Sequence, residues 1–183
     1  PMLECETELR VVGYLPPMPE VCIESRHLGL KTAAEIDDMQ QKIKILSDTA
    51  QKNINWALLQ AQFDRPAPTA VKPHTPPPRV RIAVARDAAF CFTYAETLDV
   101  LRQNGAELCF FSPITDARLP QGIGGLYLPG GYPELHAEAL AANTAMRSDI
   151  QQAVKAGLPT VAECGGFLYL GQTLQDADGR VYP

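Results

Sequence analysis

The sequence predicts an α/β fold built on a mostly parallel sheet, and three observations carry that prediction. From Val80 onward, short apolar runs alternate with amphipathic helical stretches, the pattern of strands joined by crossover helices. A glycine-rich turn, Pro129-Gly130-Gly131, follows directly on the apolar run Gly125–Leu128. Finally, Thr160-Val161-Ala162 leads through Glu163-Cys164-Gly165-Gly166 into Phe167-Leu168-Tyr169-Leu170, a strand, a tight turn and a helix in succession.

Before Val80 the pattern is different. Leu9–Leu15 reads as a buried strand ending at Pro16-Pro17, and an irregular stretch holding Arg26 and His27 follows. Thr32-Ala33-Ala34-Glu35 fits a capping box, in which the first and last side chains satisfy each other's backbone donors. Ile36, Met39, Ile43, Leu46 and Ala50 then recur at spacings of three and four, predicting a helix over about 33–51, with a second over about 54–63. One strand and two helices are too few to enclose a core, so residues 1–64 read as part of a larger domain. Residues 65–79 read as a linker. Six of the thirteen residues from Pro66 to Pro78 are proline, which lacks a backbone donor and keeps the chain extended and semi-rigid.

In the second region, strands are expected at Val80–Ala85, Glu107–Phe111, Gly125–Leu128 and Thr160–Glu163. Thr93-Tyr94-Ala95-Glu96 fits another capping box, opening a helix to about Gln103 with Gly105 as its C-terminal cap. An alanine-rich helix is expected over 134–142, and Asn143 is placed to cap a further one running to Ala156. Asp178-Gly179 suggests the turn of a hairpin. Ligands on parallel sheets bind beyond the C-terminal strand ends. Three loops fall there: 86–93, 129–134 and the turn at Cys164.

Composition narrows the functional classes. The chain has 183 residues, 16 basic and 21 acidic, and a formal net charge of −5 with no basic cluster, which argues against nucleic acid as the main partner. No apolar run is long enough to span a membrane. The five cysteines (5, 22, 91, 109 and 164) form no CxxC pair, so no metal site is expected, and reduced thiols in a cytoplasm are the default. Of the five, Cys164 is the candidate for chemistry. In a nucleophile elbow the reactive side chain stands at the bend, and the chain approaches itself so closely that small residues are needed two positions either side; Ala162 and Gly166 supply them. The following helix N-terminus favours thiolate over thiol, and the Gly165 N–H is placed to meet a developing oxyanion.

Leu128-Pro129-Gly130-Gly131-Tyr132-Pro133-Glu134, followed about thirty residues later by Glu163-Cys164-Gly165-Gly166, resembles the class I glutamine amidotransferases. With 85–92 (ARDAAFCF), Phe110-Phe111-Ser112-Pro113 and 26–30 (RHLGL), the chain is similar to the amidases of the cobyrinic/cobyric acid type along nearly its whole length. One departure is Thr93-Tyr94, where that pattern carries two aromatics.

The resemblance implies a flavodoxin-like glutaminase domain over 80–183. Ahead of it, 1–64 would be the C-terminal end of a P-loop-type, dethiobiotin-synthetase-like amidoligase domain that uses ATP and Mg2+. The implied reaction releases ammonia from L-glutamine and amidates the a- and c-carboxylates of cobyrinic acid. Cys164 would be the nucleophile, and Gly165 and Gly131 the two oxyanion donors. Gly130, Tyr132, Glu134, Glu163, Arg26 and His27 are candidate substrate-binding residues. Glu163 either holds the amino group of glutamine or orients the turn. Gly130 and Gly131 are also explained by a turn needing positive φ.

No G-x-x-x-x-G-K-[ST] motif occurs, and the resemblance places the base histidine after residue 183, so this chain alone is expected to be a poor glutaminase. His27 and His74 lie in the first region and the linker, and nothing in the setting of His136 directs it to Cys164. A sister amidoligase acting on cobyric acid or nickel-sirohydrochlorin, a cysteine hydrolase, or a non-catalytic module on the same scaffold remain as alternatives. An open sheet edge would also leave a homo-oligomer open.

Overall fold

The computed structural model describes residues 2–24, 31, 35–63 and 76–183. The chain divides into two compact units, Pro1–Ala70 and Val71–Pro183. Arg26, His27, Thr32, His74 and the linker up to residue 75 lie outside the described residues.

The first unit contains α1 (Met2–Glu6), a 3-10 turn (Pro19–Val21), α2 (Met39–Asn53) and α3 (Trp56–Phe63). The strand expected at Leu9–Leu15 is not formed. A strand needs a neighbour to take its backbone bonds, and here only an isolated antiparallel bridge joins Gly13 to Ile54, with the Asn55 N–H donating to the Val12 carbonyl at 2.6 Å. α2 begins at Met39, not at 33. Asp38 takes the N-cap without a side-chain cap bond, and its carboxylate instead pairs with Lys42 one turn on at 3.0 Å. No residue of α2 is buried, and Ile43 and Leu46 remain partly exposed. All the buried apolar residues among those described fall between Ala83 and Ile150, so the core belongs to the second unit.

That unit begins with β1 (Val80–Ala85), α4 (Ala95–Gln103), β2 (Ala106–Phe111) and β3 (Gly125–Leu128). A 3-10 turn (Pro133–His136), α5 (Ala137–Ala142), α6 (Thr144–Lys155), β4 (Thr160–Ala162), α7 (Gly165–Tyr169) and the hairpin β5 (Leu174–Gln175) and β6 (Val181–Tyr182) complete it. The sheet runs β2-β1-β3-β4, parallel throughout, with Val84 opposite Tyr127 and Phe110, and Tyr127 opposite Val161. Alternation along the strands divides the core between two faces. Ala83, Ala85, Leu126 and Leu128 pack with Leu140, Met146 and Ile150 of the helices; Val84 and Tyr127 pack with Leu98 of α4. β4 is an edge strand, and its Val161 is 58% exposed.

The strand predictions in this unit hold to within a residue, and the turn expected at Asp178-Gly179 joins the hairpin strands β5 and β6. Asn143 caps α6 as expected: its carbonyl accepts the Met146 N–H at 3.3 Å, and its amide donates to the carbonyls of Pro113 and Asp116. Gly105, at φ 87°, ends α4. The expected capping box at Thr93 is absent. Tyr94 takes the N-cap without a side-chain bond, and the Thr93 hydroxyl is turned inward, where no partner reaches it among the described residues. The helix expected over 134–142 breaks into the 3-10 turn and α5, since Pro133 fixes the entry of the first turn.

Candidate active site

Cys164 sits where β4 meets α7, exposed to solvent. Its backbone is at φ 47° and ψ −112°, and among the described residues it is the sole non-glycine with positive φ. Such a conformation costs about 1–3 kcal/mol and persists only where the surroundings over-determine it. They do so here. The Glu163 N–H donates to the Leu128 carbonyl at 3.0 Å, the Gly166 N–H donates to the carbonyls of Pro129 (3.0 Å) and Glu163 (2.8 Å), and the Leu168 N–H donates to the Cys164 carbonyl at 3.0 Å. The turn is thereby tied to the end of β3 and to the first helical turn of α7.

The glycines explain how two loops come so close. A β-carbon on Gly166 would strike the Leu128 carbonyl, and one on Gly165 would lie 2.8 Å from both the Gly131 carbonyl oxygen and the Pro133 ring. A β-carbon on Gly131 would strike the Ala89 carbonyl, and one on Gly130 would stand 3.6 Å from Cβ of Cys164. Gly131, at φ 159°, is essentially extended, and Gly130 is not among the positive-φ glycines. Close approach, not the turn conformation suggested by the sequence, is therefore what demands glycine at 131. The structure brings Cys164, Gly165, Gly130 and Gly131 together at the C-terminal end of the sheet.

The other candidate residues are placed as follows. Glu163, next to the nucleophile, is exposed, and its Oε2 accepts the hydroxyl of Tyr127 at 2.7 Å. Burial, and then the Glu163 carboxylate, push the Tyr127 hydroxyl up to about 12. Tyr132 is buried and meets Phe92 edge-on, ring centres 5.1 Å apart, so it packs beneath the loop. Glu134 and His136 are half-buried in the 3-10 turn. Phe90 is buried against Tyr169 at 5.3 Å and belongs to the core.

Two contributors were not singled out from the sequence. Asp87 braces the loop on which Gly131 rests: Oδ1 accepts the N–H groups of Ala89 (2.9 Å) and Phe90 (3.2 Å), and Oδ2 accepts the Ser112 hydroxyl (2.8 Å) and the Ile114 N–H (3.0 Å). An aspartate two residues past the buried end of a strand was the available signal, because such side chains satisfy the amides of the following turn. Tyr127 was the other. A tyrosine in an otherwise apolar buried strand needs a partner for its hydroxyl.

A cavity of about 670 Å3 lies beside α6 and the end of α7, lined by Arg147, Gln151, Lys155 and Tyr169 among others; Cys164 does not line it. No group of three metal-ligating side chains forms among the described residues, and none of their helices is long and apolar enough to cross a membrane.

Chemically, the arrangement offers an exposed thiol on a strained backbone, at the contact of two closely packed glycine-containing loops. Comparison with known proteins agrees with it. Residues 81–182 match the family model described as a CobB/CobQ-like glutamine amidotransferase domain. The chain is 42% identical to a cobyrinate a,c-diamide synthase of Dehalococcoides mccartyi, over 98% of this chain and 40% of the relative. It is 45% identical to a hydrogenobyrinate a,c-diamide synthase of Pseudomonas aeruginosa, over 94% of this chain and 39% of the relative. A cobyrinate a,c-diamide synthase of Thermoplasma volcanium is 42% identical, over 99% and 40%. The chain thus spans about 40% of the length of these relatives. No solved structure matches. The parallel sheet suits a flavodoxin-like amidotransferase domain, and the family match over most of the second unit shows that the chain belongs to the CobB/CobQ-like glutamine amidotransferase family.

Proposed function

We propose that this chain carries the glutamine-hydrolysing site of an a,c-diamide synthase acting on a corrin a,c-dicarboxylate, cobyrinate or hydrogenobyrinate. The observation that carries the reading is Cys164 itself, exposed and strained at a strand-to-helix turn, packed beside Gly130 and followed by Gly165, which packs against Gly131.

In this reading the Cys164 thiolate attacks the side-chain amide carbon of glutamine. The C=O electron pair moves onto oxygen, and the N–H groups of Gly165 and Gly131 receive the oxyanion. Collapse expels ammonia, with a proton supplied to the leaving nitrogen, and leaves a γ-glutamyl thioester; water then releases glutamate and restores the thiol. Glycine at 165 and 131 lets the two loops that carry these N–H groups pack together, which a β-carbon on either would prevent. The base serving Cys164 is assigned, as the family resemblance implies, to a histidine further along than residue 183, and not to the half-buried His136.

Ammonia then replaces the leaving group on an activated carboxylate. Activation requires ATP with Mg2+, and 1–64 are proposed to belong to the amidoligase part that supplies it, with Arg26 and His27 as candidate contacts. The described residues form no cluster of three side chains fit to hold the metal.

The test is labelling with a diazoketone analogue of glutamine, mapped by peptide. Cys164 alone should be modified, and glutamine should protect it. Equal modification of the exposed Cys5, Cys22 and Cys91, or no protection by glutamine, would overturn the reading.

A further inference from the structure

We propose that Tyr127 is a positioning residue for the nucleophile turn, holding Cys164 in its strained conformation through the side chain of Glu163. The inference rests on the glutaminase reading above and adds a residue to it.

Glu163 is the last residue before the strained one, and it is held at three points. Its N–H donates to the Leu128 carbonyl (3.0 Å), its carbonyl accepts the Gly166 N–H (2.8 Å), and its carboxylate accepts the Tyr127 hydroxyl (2.7 Å). The first two bonds fix the peptide planes on either side of Glu163 and leave its side chain to the third. The third reaches one residue further back along β3, where Tyr127 is buried with Val84 and Leu98. It therefore adds a side-chain anchor to the backbone anchor at Leu128.

Strand register places this anchor. Tyr127 lies opposite Val161, and Glu163 follows two residues later, so both side chains fall on the same face of the sheet. A tyrosine is long enough to meet the glutamate diagonally across the strands. A phenylalanine there would fill the same space and make no bond. Because Glu163 is exposed, its carboxylate would otherwise sample many rotamers, and the hydroxyl selects one. Cys164 itself makes no side-chain cap bond that could hold its own geometry. Beyond the Leu168 N–H on its own carbonyl, the strain is held from its neighbours, and Glu163 is the neighbour with a side-chain tether.

The experiment compares the full-length protein with Tyr127→Phe, Glu163→Ala and the double variant, measuring glutamine hydrolysis and melting temperature. Loss of one such bond should lower kcat about three- to tenfold in each single variant, with KM for glutamine within about twofold of wild type. The double variant should be no worse than either single one, since both remove the same tether. Glu163→Gln, which keeps an acceptor oxygen, should lose less than Glu163→Ala. A merely structural role would lower the melting temperature without this kcat pattern.

An unchanged kcat in Tyr127→Phe, or losses that multiply in the double variant, overturns the inference. A raised KM with kcat preserved also overturns it, because the pair would then be contacting glutamine. If wild-type protein turns over no glutamine, the functional reading fails separately. The tether is then judged by the rate at which iodoacetamide modifies Cys164, followed by peptide mapping: a rate changed about threefold or more in Tyr127→Phe supports it, and an unchanged rate overturns it. Should Tyr127→Phe fold poorly, Glu163→Ala alone, altered at an exposed side chain, decides between the same outcomes.

Discussion

Gly131 and Gly165 are packed so closely that a β-carbon on Gly165 would lie 2.8 Å from the carbonyl oxygen of Gly131 and 3.0 Å from its nitrogen. These are the two residues assigned to the oxyanion, and their contact fixes the spacing between the loop after β3 and the turn after β4. Alanine at either position must push the loops apart. At 131 the added carbon meets the Ala89 backbone, which cannot swing aside as a side chain would. Gly131→Ala is expected to cost about 1–3 kcal/mol of stability by overpacking, measured by chemical denaturation. It should also lower glutamine turnover, by up to about a hundredfold, because the N–H at 131, though kept in alanine, is pushed out of line with the oxyanion. Retention of wild-type turnover would remove Gly131 from its assigned role.

The strain at Cys164 has its own signature. At φ 47° and ψ −112° any β-carbon is unfavourable, and a glycine is not. Cys164→Gly should therefore be more stable than Cys164→Ala by about 1 kcal/mol, although both remove the thiol and abolish thioester formation. The difference in denaturation midpoint reads the relief of backbone strain less the extra entropy that glycine gives the unfolded chain. A Cys164→Ala variant the more stable of the two would mean that the turn relaxes once the sulfur is gone.

The second unit was legible in the sequence because its strands are buried runs bounded by strong turn signals, and parallel strands enclosed on both faces leave little ambiguity of type. Cys164 was legible for a similar reason: small residues on both sides of a cysteine at a strand-to-helix switch admit few explanations. What the sequence hid is what depends on partners far along the chain. Leu9–Leu15 has strand composition but no neighbour to pair with beyond the bridge at Gly13. Thr93 begins a sound capping box, yet its hydroxyl turns inward. The tether between Tyr127 and Glu163 spans 36 positions, and periodicity carries no trace of it. Tyr132 looked like a pocket residue and is packed under its own loop, against Phe92.

Asp87 should matter for stability well beyond its size. Its two oxygens accept four bonds, three of them from backbone N–H groups of the loops that follow β1 and β2. Truncation leaves several of those donors with no acceptor while the surrounding loops stay packed. Asp87→Ala is expected to cost about 2–4 kcal/mol, and Asp87→Asn less, since one acceptor oxygen remains. Because the 86–92 loop supports Gly131, the alanine variant should lose Cys164 labelling by the glutamine analogue at temperatures where the protein is still folded. Urea denaturation alongside labelling separates the two effects.

Alkaline pH should unfold the second unit through two tyrosines. Tyr127 is pushed up to about 12 mainly by burial, with the Glu163 carboxylate adding to the shift. Tyr169 is also pushed up to about 12, mainly by burial; Arg147 opposes the shift and Asp87 adds to it. An unfolded tyrosine titrates near 10. Between these values the unfolded chain loses its phenolic protons while the folded one keeps them. The stability associated with both groups is thus complete below about pH 10 and is lost as the pH climbs toward 12. Tyr169→Phe should flatten that decline. It should also leave the protein no less stable at pH 8, because the buried hydroxyl it removes has no partner among the described residues, whereas its edge-on contact with Phe90 survives in phenylalanine. Urea midpoints measured from pH 8 to 11.5, beside the tyrosinate absorbance of the folded protein, check both points. A wild-type midpoint that does not fall above pH 10, or a Tyr169→Phe decline as steep as that of wild type, would show that these hydroxyls are not held protonated by the fold.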